Sequence, residues 1–252
     1  MRAHPAEYEL VAPGTLPAVL QLLADEPSTW LPIAGGTDVM VLYAAGKLLA
    51  RKLVSIDRLP ELRSIEITPT EIRIGAACTY TDLRRNTVVA QEFPLLTRSA
   101  AWTGGIANQN RGTLGGNIAN ASPAGDSLPV LLAYDADLIL VSAKGPRRIP
   151  YRTFHTAYKK SLLASDELIQ TICLRRNSAD YTGYVKKVGA RNAQAISKVF
   201  FAALGRSSNG TMQDVRLAAG SVGPIPIRLL KTEQALTGQI IDNSISNAAC
   251  NV

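Results

Sequence analysis

Apolar positions along this chain recur at two periods, and the changes of period divide it into three segments. In the first, Leu16, Val19, Leu20 and Leu23 repeat at helical spacing behind Thr15, a residue type that caps helix starts, and Pro27 ends the run. A short strand at 8–11, closed by Pro13-Gly14, precedes this helix. Trp30 to Ala34 runs into a Gly35-Gly36 turn, 38–45 reads as a helix, and 52–57 reads as another strand. The pattern predicts a small α/β unit over residues 1–57.

The second segment alternates first and turns helical later. Residues 64–68 and 71–76 alternate around Pro69-Thr70, which predicts a hairpin. Thr79 or Thr81 caps a short helix, and a further helix covers 93–102. A glycine- and asparagine-rich loop follows over 103–120, then a helix at 127–133. Strands at 138–142 and 148–149 flank the turn Lys144-Gly145-Pro146, and a strand at 168–174 closes the segment.

After a polar break at 175–180 the pattern is mostly β, with strands at 184–188, 199–204 and 215–219. Pro224-Ile225-Pro226 precedes a helix at 229–236, and the closing tract IDNSISNAACNV is weakly patterned and is expected to fray. No internal repeat or low-complexity tract is present.

Composition narrows the classes. The 252 residues, 46% of them hydrophobic and 19% charged, describe an ordinary globular chain rather than a disordered or disulfide-built one. No stretch of about 18 apolar residues exists, and the opening MRAHPAEYEL lacks a secretory apolar core. These features predict a cytoplasmic protein with no membrane span. The net charge of +7 admits nucleic acid, an anionic ligand or an acidic protein surface as partner. The basic residues are scattered, in pairs such as Arg84-Arg85 and Lys186-Lys187, without the long run that would favour nucleic acid. Cys78, Cys173 and Cys250 lie far apart and cannot supply the four thiolates of an iron–sulfur cluster. With only His4 and His155, a histidine metal site is not expected either.

Two glycine-rich segments carry the candidate chemistry. They are Ile33-Ala34-Gly35-Gly36-Thr37-Asp38 and Gly112-Thr113-Leu114-Gly115-Gly116-Asn117, each following an apolar element and preceding a predicted helix. Glycine lets a backbone approach a ligand closely, and the N–H groups of such a turn can form an anion nest. Each is equally a simple turn when taken alone, for neither matches the dinucleotide fingerprint or the phosphate loop. The second runs on through 118–129 with an unusual density of short polar side chains.

The segments AGGTD at 34–38, NRGTLGGNIANASPAGD at 110–126 and GSVGPIPIRL at 220–229 resemble those of the FAD-binding medium subunit of molybdenum hydroxylases, the xanthine dehydrogenase and carbon monoxide dehydrogenase family. The resemblance covers nearly the whole chain. It implies an α+β fold: a two-lobed PCMH-type FAD-binding domain over 1–176, with lobes 1–57 and 58–176. A small α/β domain like the carbon monoxide dehydrogenase flavoprotein C-terminal domain would follow over 177–252. It implies that Leu31, Pro32, Ile33, Ala34, Gly35, Gly36, Thr37 and Asp38 wrap the FAD pyrophosphate, the last two near the flavin. Thr113, Leu114, Gly115, Gly116 and Asn117 would form a second phosphate-binding turn. Asn117, Asn120 and Asp126 match positions that contact the diphosphate, ribityl or adenosine portions. Ile169 matches a backbone contact to the adenine region, and Lys187 a lysine near the flavin ring.

Departures from the family pattern are also informative. Thr103 stands where eukaryotic relatives place an aromatic residue beside FAD. Tyr158 and Ser122 align near the nicotinamide-nucleotide site of NAD-linked members. No histidine matches the covalent attachment point of distant relatives, so FAD is expected to be non-covalent. The chain stops soon after Asn247 where relatives continue, which implies an abbreviated last domain or a piece of a longer protein. The resemblance further implies an electron-transfer subunit, inactive alone. It would sit with a large molybdopterin-binding subunit and a small subunit carrying two [2Fe–2S] clusters, in a dimer of heterotrimers. Electrons would pass through FAD to NAD, oxygen or a quinone. The competing expectation is a standalone FAD-dependent oxidase or dehydrogenase of the same fold.

Overall fold

A computed structural model describes residues 4–191, 194–242, 245 and 249. Its first sheet is parallel, ordered β1-β3-β2, and is built from β1 (Glu9–Val11), α1 (Leu16–Asp25), β2 (Trp30–Ile33), α2 (Val39–Ala44) and β3 (Lys52–Ser55). Helix α1 starts where the Thr15 hydroxyl accepts the Ala18 amide, at 3.4 Å, with Pro17 in the first turn. Its buried stripe, Leu16, Val19, Leu20 and Leu23, packs with Trp30, Val54, Leu62, Val141 and Leu168. The last two belong to the next sheet, so this small core also glues the first unit to the second.

The second unit comprises β4 (Ile65–Ile67), β5 (Glu71–Gly75), α3 (Tyr80–Arg85), α4 (Thr87–Glu92), α5 (Pro94–Trp102), α6 (Ile106–Gln109), α7 (Leu114–Asn120), α8 (Leu128–Ala133), β6 (Asp137–Ser142), β7 (Gly145–Pro150), β8 (His155–Ala157), β9 (Lys160–Ser161) and β10 (Leu168–Arg175). Its main sheet is antiparallel, ordered β4-β5-β10-β6-β7, with β8 and β9 forming a separate hairpin. Ile72, Ile74, Leu138, Leu140, Ile172 and Leu174 face the helices and are buried. On the opposite face the Arg148 guanidinium donates to Glu71 at 2.8 Å and Asp137 at 2.9 Å. That bond, chiefly, holds the Glu71 carboxyl below its ordinary range.

The third unit is an antiparallel sheet, β11 (Thr182–Gly189), β12 (Ser197–Ser208), β13 (Thr211–Gly220) and β14 (Ile227–Arg228), followed by α9 (Leu230–Leu236). Val185, Phe200, Ala202, Leu204 and Ala218 join the main core under α5 and α8, while Val215 and Leu217 pack with Leu236 on the other face. The architecture is mixed α+β, as expected. Among the described residues no helix is long and apolar enough to cross a membrane.

The expected loop at 103–120 is corrected: it holds α6 and α7. Helix α7 forms despite Gly115 and Gly116, each worth about 1 kcal/mol against helix, because its first turn is tied down from outside. Leu114 and Gly115 donate to the Cys78 and Ala76 carbonyls at 3.0 and 2.8 Å, and Thr113 caps Gly116 at 3.1 Å. Gly115 is required there, since a Cβ would lie 2.5 Å from the Ala76 methyl and 2.7 Å from its carbonyl oxygen. Helix α4, the β8–β9 hairpin and β14 were not predicted. Most of the closing tract expected to fray, Cys250 included, lies outside the described residues. Cys78 and Cys173 are buried, and burial pushes their thiols up to about 12 and about 11, so neither is a ready thiolate.

Candidate functional site

The two glycine-rich segments meet. A cleft of about 570 Å³ opens between the first and second units. Along its first side run Leu31, Pro32, Ile33, Ala34, Gly35, Gly36, Thr37 and Asp38, then Val39, Val41 and Leu42. Its second side holds Tyr80, Thr103, Gly104, Asn108, Gly112, Thr113, Gly116, Asn117, Ala119 and Asn120. The two sides come together where Gly35 has no side chain. A Cβ there would overlap the Arg111 carbonyl and lie 3.1 Å from the Gly112 nitrogen. Gly36 follows at φ 72°, the left-handed region open to glycine, and turns the chain into α2.

The backbone chemistry differs between the two sides. Among the described residues nothing accepts from the amides of Gly35, Gly36, Thr37 or Asp38. These four residues line the cleft with amides that have no acceptor of their own, a composition that suits an anion. On the second side the amides of 114–117 are engaged inside the fold. Leu114 and Gly115 go to Cys78 and Ala76, Gly116 to the Thr113 hydroxyl, and Asn117 to the Thr113 carbonyl at 3.0 Å. Leu114 and Gly115 are buried and do not line the cleft, whereas Thr113, Gly116 and Asn117 of the same turn do. That side offers side chains instead: the Thr113 hydroxyl, Asn117 and Asn120. Asn117 is itself oriented by Ser127, whose hydroxyl donates to its Oδ1 at 2.6 Å.

Asp126, Ile169 and Lys187 do not line the cleft. Ile169 is buried in β10. Asp126 and Lys187 form a pair at 2.6 Å behind the wall, the Ser197 hydroxyl donating to the other carboxylate oxygen at 2.6 Å. Burial raises the Asp126 carboxyl, and the bonds from Lys187 and Ser197 oppose the rise. Lys187 also donates to the Trp102 carbonyl at 3.1 Å, immediately before the cleft residue Thr103. This pair therefore fastens β11 and β12 to the back of the cleft and sets where 103–104 lies. Ser122 serves a local turn, accepting the Ala124 amide at 3.4 Å, and Tyr158 is exposed on the β8–β9 hairpin. Neither lines the cleft.

The sequence does not single out Tyr80, Gly104 and Asn108 as cleft residues. The last two lie in the glycine- and asparagine-rich tract, whose composition marks the region without marking the residues. Tyr80 follows the Thr79 cap, and no local signal distinguishes it from a core tyrosine. Burial raises its phenol well above the ordinary value, so a proton stays on the hydroxyl at neutral pH.

The β8–β9 hairpin supports α7 from outside. His155 is buried, its Nε2 3.0 Å from the Ile118 carbonyl and its Nδ1 3.4 Å from the Tyr151 hydroxyl. The carbonyl requires a proton on Nε2, which leaves Nδ1 to accept from Tyr151. Burial lowers the His155 pKa from the ordinary 6.5. An unfolded chain then binds this proton at a higher pH than the folded one, so stability is full above about 6.5 and declines as pH falls below it. Urea midpoints at pH 7.5 and 5.5 should differ more in the parent than in His155→Gln. Equal pH dependence in both would remove His155 from the account.

Comparison with known proteins agrees with this geometry. Residues 6–174 match the family described as the FAD binding domain in molybdopterin dehydrogenase, and residues 184–252 match the CO dehydrogenase flavoprotein C-terminal domain. The chain is 36% identical over 231 residues to the xanthine dehydrogenase FAD-binding subunit of Escherichia coli O157:H7, covering 91% of this chain and 78% of that one. It is 27% identical to the carbon monoxide dehydrogenase medium chain of Hydrogenophaga pseudoflava, over 98% and 86% of the two chains. A solved structure of carbon monoxide dehydrogenase from the same organism superposes with a TM-score of 0.94, at 27% identity and 98% coverage of this chain. The chain belongs to the FAD-binding medium-subunit family of the molybdopterin dehydrogenases, as an oxidoreductase subunit of the xanthine and CO dehydrogenase type.

Proposed function

We propose that this chain holds FAD non-covalently in the cleft and serves as the electron-transfer subunit of a heteromeric molybdenum hydroxylase. One observation carries the reading: four consecutive residues with unengaged amides, Gly35 to Asp38, line a cleft of about 570 Å³ beside apolar side chains. Backbone donors can bind a pyrophosphate with no cationic cage, and Leu31, Pro32, Val39 and Val41 supply apolar surface for flat ring systems. The Thr37 and Thr113 hydroxyls, Asn117 and Asn120 would orient the chain of the cofactor. FAD, when bound, accepts and releases one or two electrons. The protein's part is to bind it, fix its tilt and exclude competing water. No side chain need act as an acid or base, so no catalytic residue is assigned.

Electrons would arrive from two [2Fe–2S] clusters on a small partner subunit and originate at a large molybdopterin-binding subunit, in a dimer of heterotrimers. NAD, oxygen or a quinone would accept them. The flavin domain would span 1–176, in lobes 1–57 and 58–176, and 177–252 would form the C-terminal domain. Expression with the two partner genes tests the reading. The expected outcome is a complex that retains a flavin absorbance, released as free FAD by acid. An isolated chain that oxidises a small substrate by itself, or a complex without flavin, would overturn it.

A further inference from the structure

A polar relay crosses the mouth of the cleft and ends on the hairpin outside it. The Lys159 ammonium donates to the backbone carbonyl of Asn120 at 2.8 Å and to its side-chain Oδ1 at 2.7 Å. The Asn120 amide nitrogen then donates to Asp38 Oδ1 at 3.1 Å. Asn120 closes α7 on the second unit, and Asp38 opens α2 on the first. Three residues far apart in sequence thus tie the two sides of the cleft together.

The charges at its ends fix the direction of the relay. Were the Asn120 amide turned over, its NH₂ would face an ammonium and its oxygen a carboxylate, both repulsive. The lysine therefore determines which group Asn120 presents to Asp38 and to the cleft. Lys159 is held for this task by its backbone, at φ 56° on the turn between β8 and β9, a conformation a lysine rarely adopts. The same hairpin grips α7 one half-turn earlier, where His155 bonds the Ile118 carbonyl. Both carbonyls belong to the last turn of α7, where the Ile118 oxygen also accepts the Ala121 amide at 3.1 Å, and a cation at this end favours the helix dipole.

Resting on the proposed FAD reading, we infer that Lys159 is a positioning residue for the cofactor cleft, setting the rotamer of Asn120 and, through it, the placement of Asp38. It does not itself line the cleft and acts through Asn120, which does. Its removal should weaken FAD binding while leaving the fold intact, because its side chain is exposed and buries no core.

Titration of the full chain with FAD, followed by flavin fluorescence, tests this alongside the urea midpoint of the cofactor-free protein. Lys159→Met, which keeps the stem and removes the charge, should raise the FAD dissociation constant about three- to tenfold, the range of one ordinary net hydrogen bond, since the lysine acts only through Asn120. The urea midpoint should stay at the parent value, and Lys159→Arg should recover most of the affinity. In an Asp38→Asn background, where the far end of the relay is already neutral, Lys159→Met should cost less than it does alone. An unchanged dissociation constant in Lys159→Met, a loss that follows the urea midpoint, or full additivity with Asp38→Asn would each overturn the inference while the FAD reading stands. A parent chain that binds no FAD would overturn both.

Discussion

Gly35→Ala is expected to abolish flavin retention and to lower stability, the largest single effect on the cleft from adding one methyl group. The reason is space rather than dihedral strain. An alanine Cβ at this position would overlap the carbonyl carbon and oxygen of Arg111, and these are backbone atoms that cannot swing aside. The loop carrying the unengaged amides would have to lift off the 111–112 backbone, moving the donors of Gly35 to Asp38 away from Thr113 and Asn117. Overpacking of this kind costs about 1–3 kcal/mol in stability. The same energy lost at a bound ligand is about a five- to 150-fold loss of affinity. Gly36→Ala makes the informative contrast. There the nearest atom to a new Cβ is the Ile33 Cδ1 at 3.3 Å, a movable side chain, and the penalty comes from φ 72°. It should cost only about 1 kcal/mol. Gel filtration with flavin absorbance, beside urea midpoints, checks both variants; a Gly35→Ala chain that keeps its flavin would show that the two backbones need not touch.

That contact explains why the site was partly legible in the sequence. AGGTD and the GTLGGN run announce themselves by composition, because close backbone approach requires glycine wherever it occurs. Their mutual contact, Gly35 on Arg111, joins residues far apart along the chain, and no local pattern encodes it. Helix α1 and the β4–β5 hairpin could be read directly, since Thr15 and Pro69-Thr70 are local signals for local structure. Helix α7 was read as loop for the opposite reason. Its two glycines argue against helix, and the bonds that overrule them come from Ala76 and Cys78 on a neighbouring segment. The pairing of Asp126 with Lys187, 61 positions apart, was invisible for the same cause. Resemblance matches Asp126 to a contact with the diphosphate, ribityl or adenosine portion and Lys187 to a lysine near the flavin ring. In the cofactor-free fold the two pair with each other and do not line the cleft. The +7 charge also changes meaning. Many of the basic residues are engaged in ion pairs, such as Arg147 with Glu167 and Arg176 with Glu92, rather than gathered into a surface for nucleic acid.

The most damaging single truncation away from the cleft should be Arg228→Ala, within the GSVGPIPIRL element. This guanidinium, only 12% exposed, is shared between two units. Its Nε and Nη2 donate to Glu233 at 2.6 and 2.8 Å, and its Nη1 donates to the Leu132 carbonyl at 3.1 Å and to Asp135 at 2.6 Å. Leu132 and Asp135 lie at the end of α8, while Glu233 lies on α9, so one side chain closes the seam between the second unit and the third. Glu233 in turn accepts the Leu217 amide at 2.7 Å, which ties α9 to β13. Alanine at 228 would leave a buried carboxylate without its cation, a loss of about 3–5 kcal/mol. For a chain of this length that is roughly 6–20 °C in melting temperature. Lysine should rescue little, since a single ammonium cannot reproduce the planar fork and reach Leu132 as well. In Glu233→Gln the same Arg228→Ala change should cost markedly less, because no charge is stranded. Calorimetry of the four proteins reads the coupling directly, and a loss under about 1 kcal/mol in Arg228→Ala would contradict it. Because this seam lies apart from the cleft residues, the variant should still bind FAD below its melting transition, separating the role of the third unit from that of the flavin site.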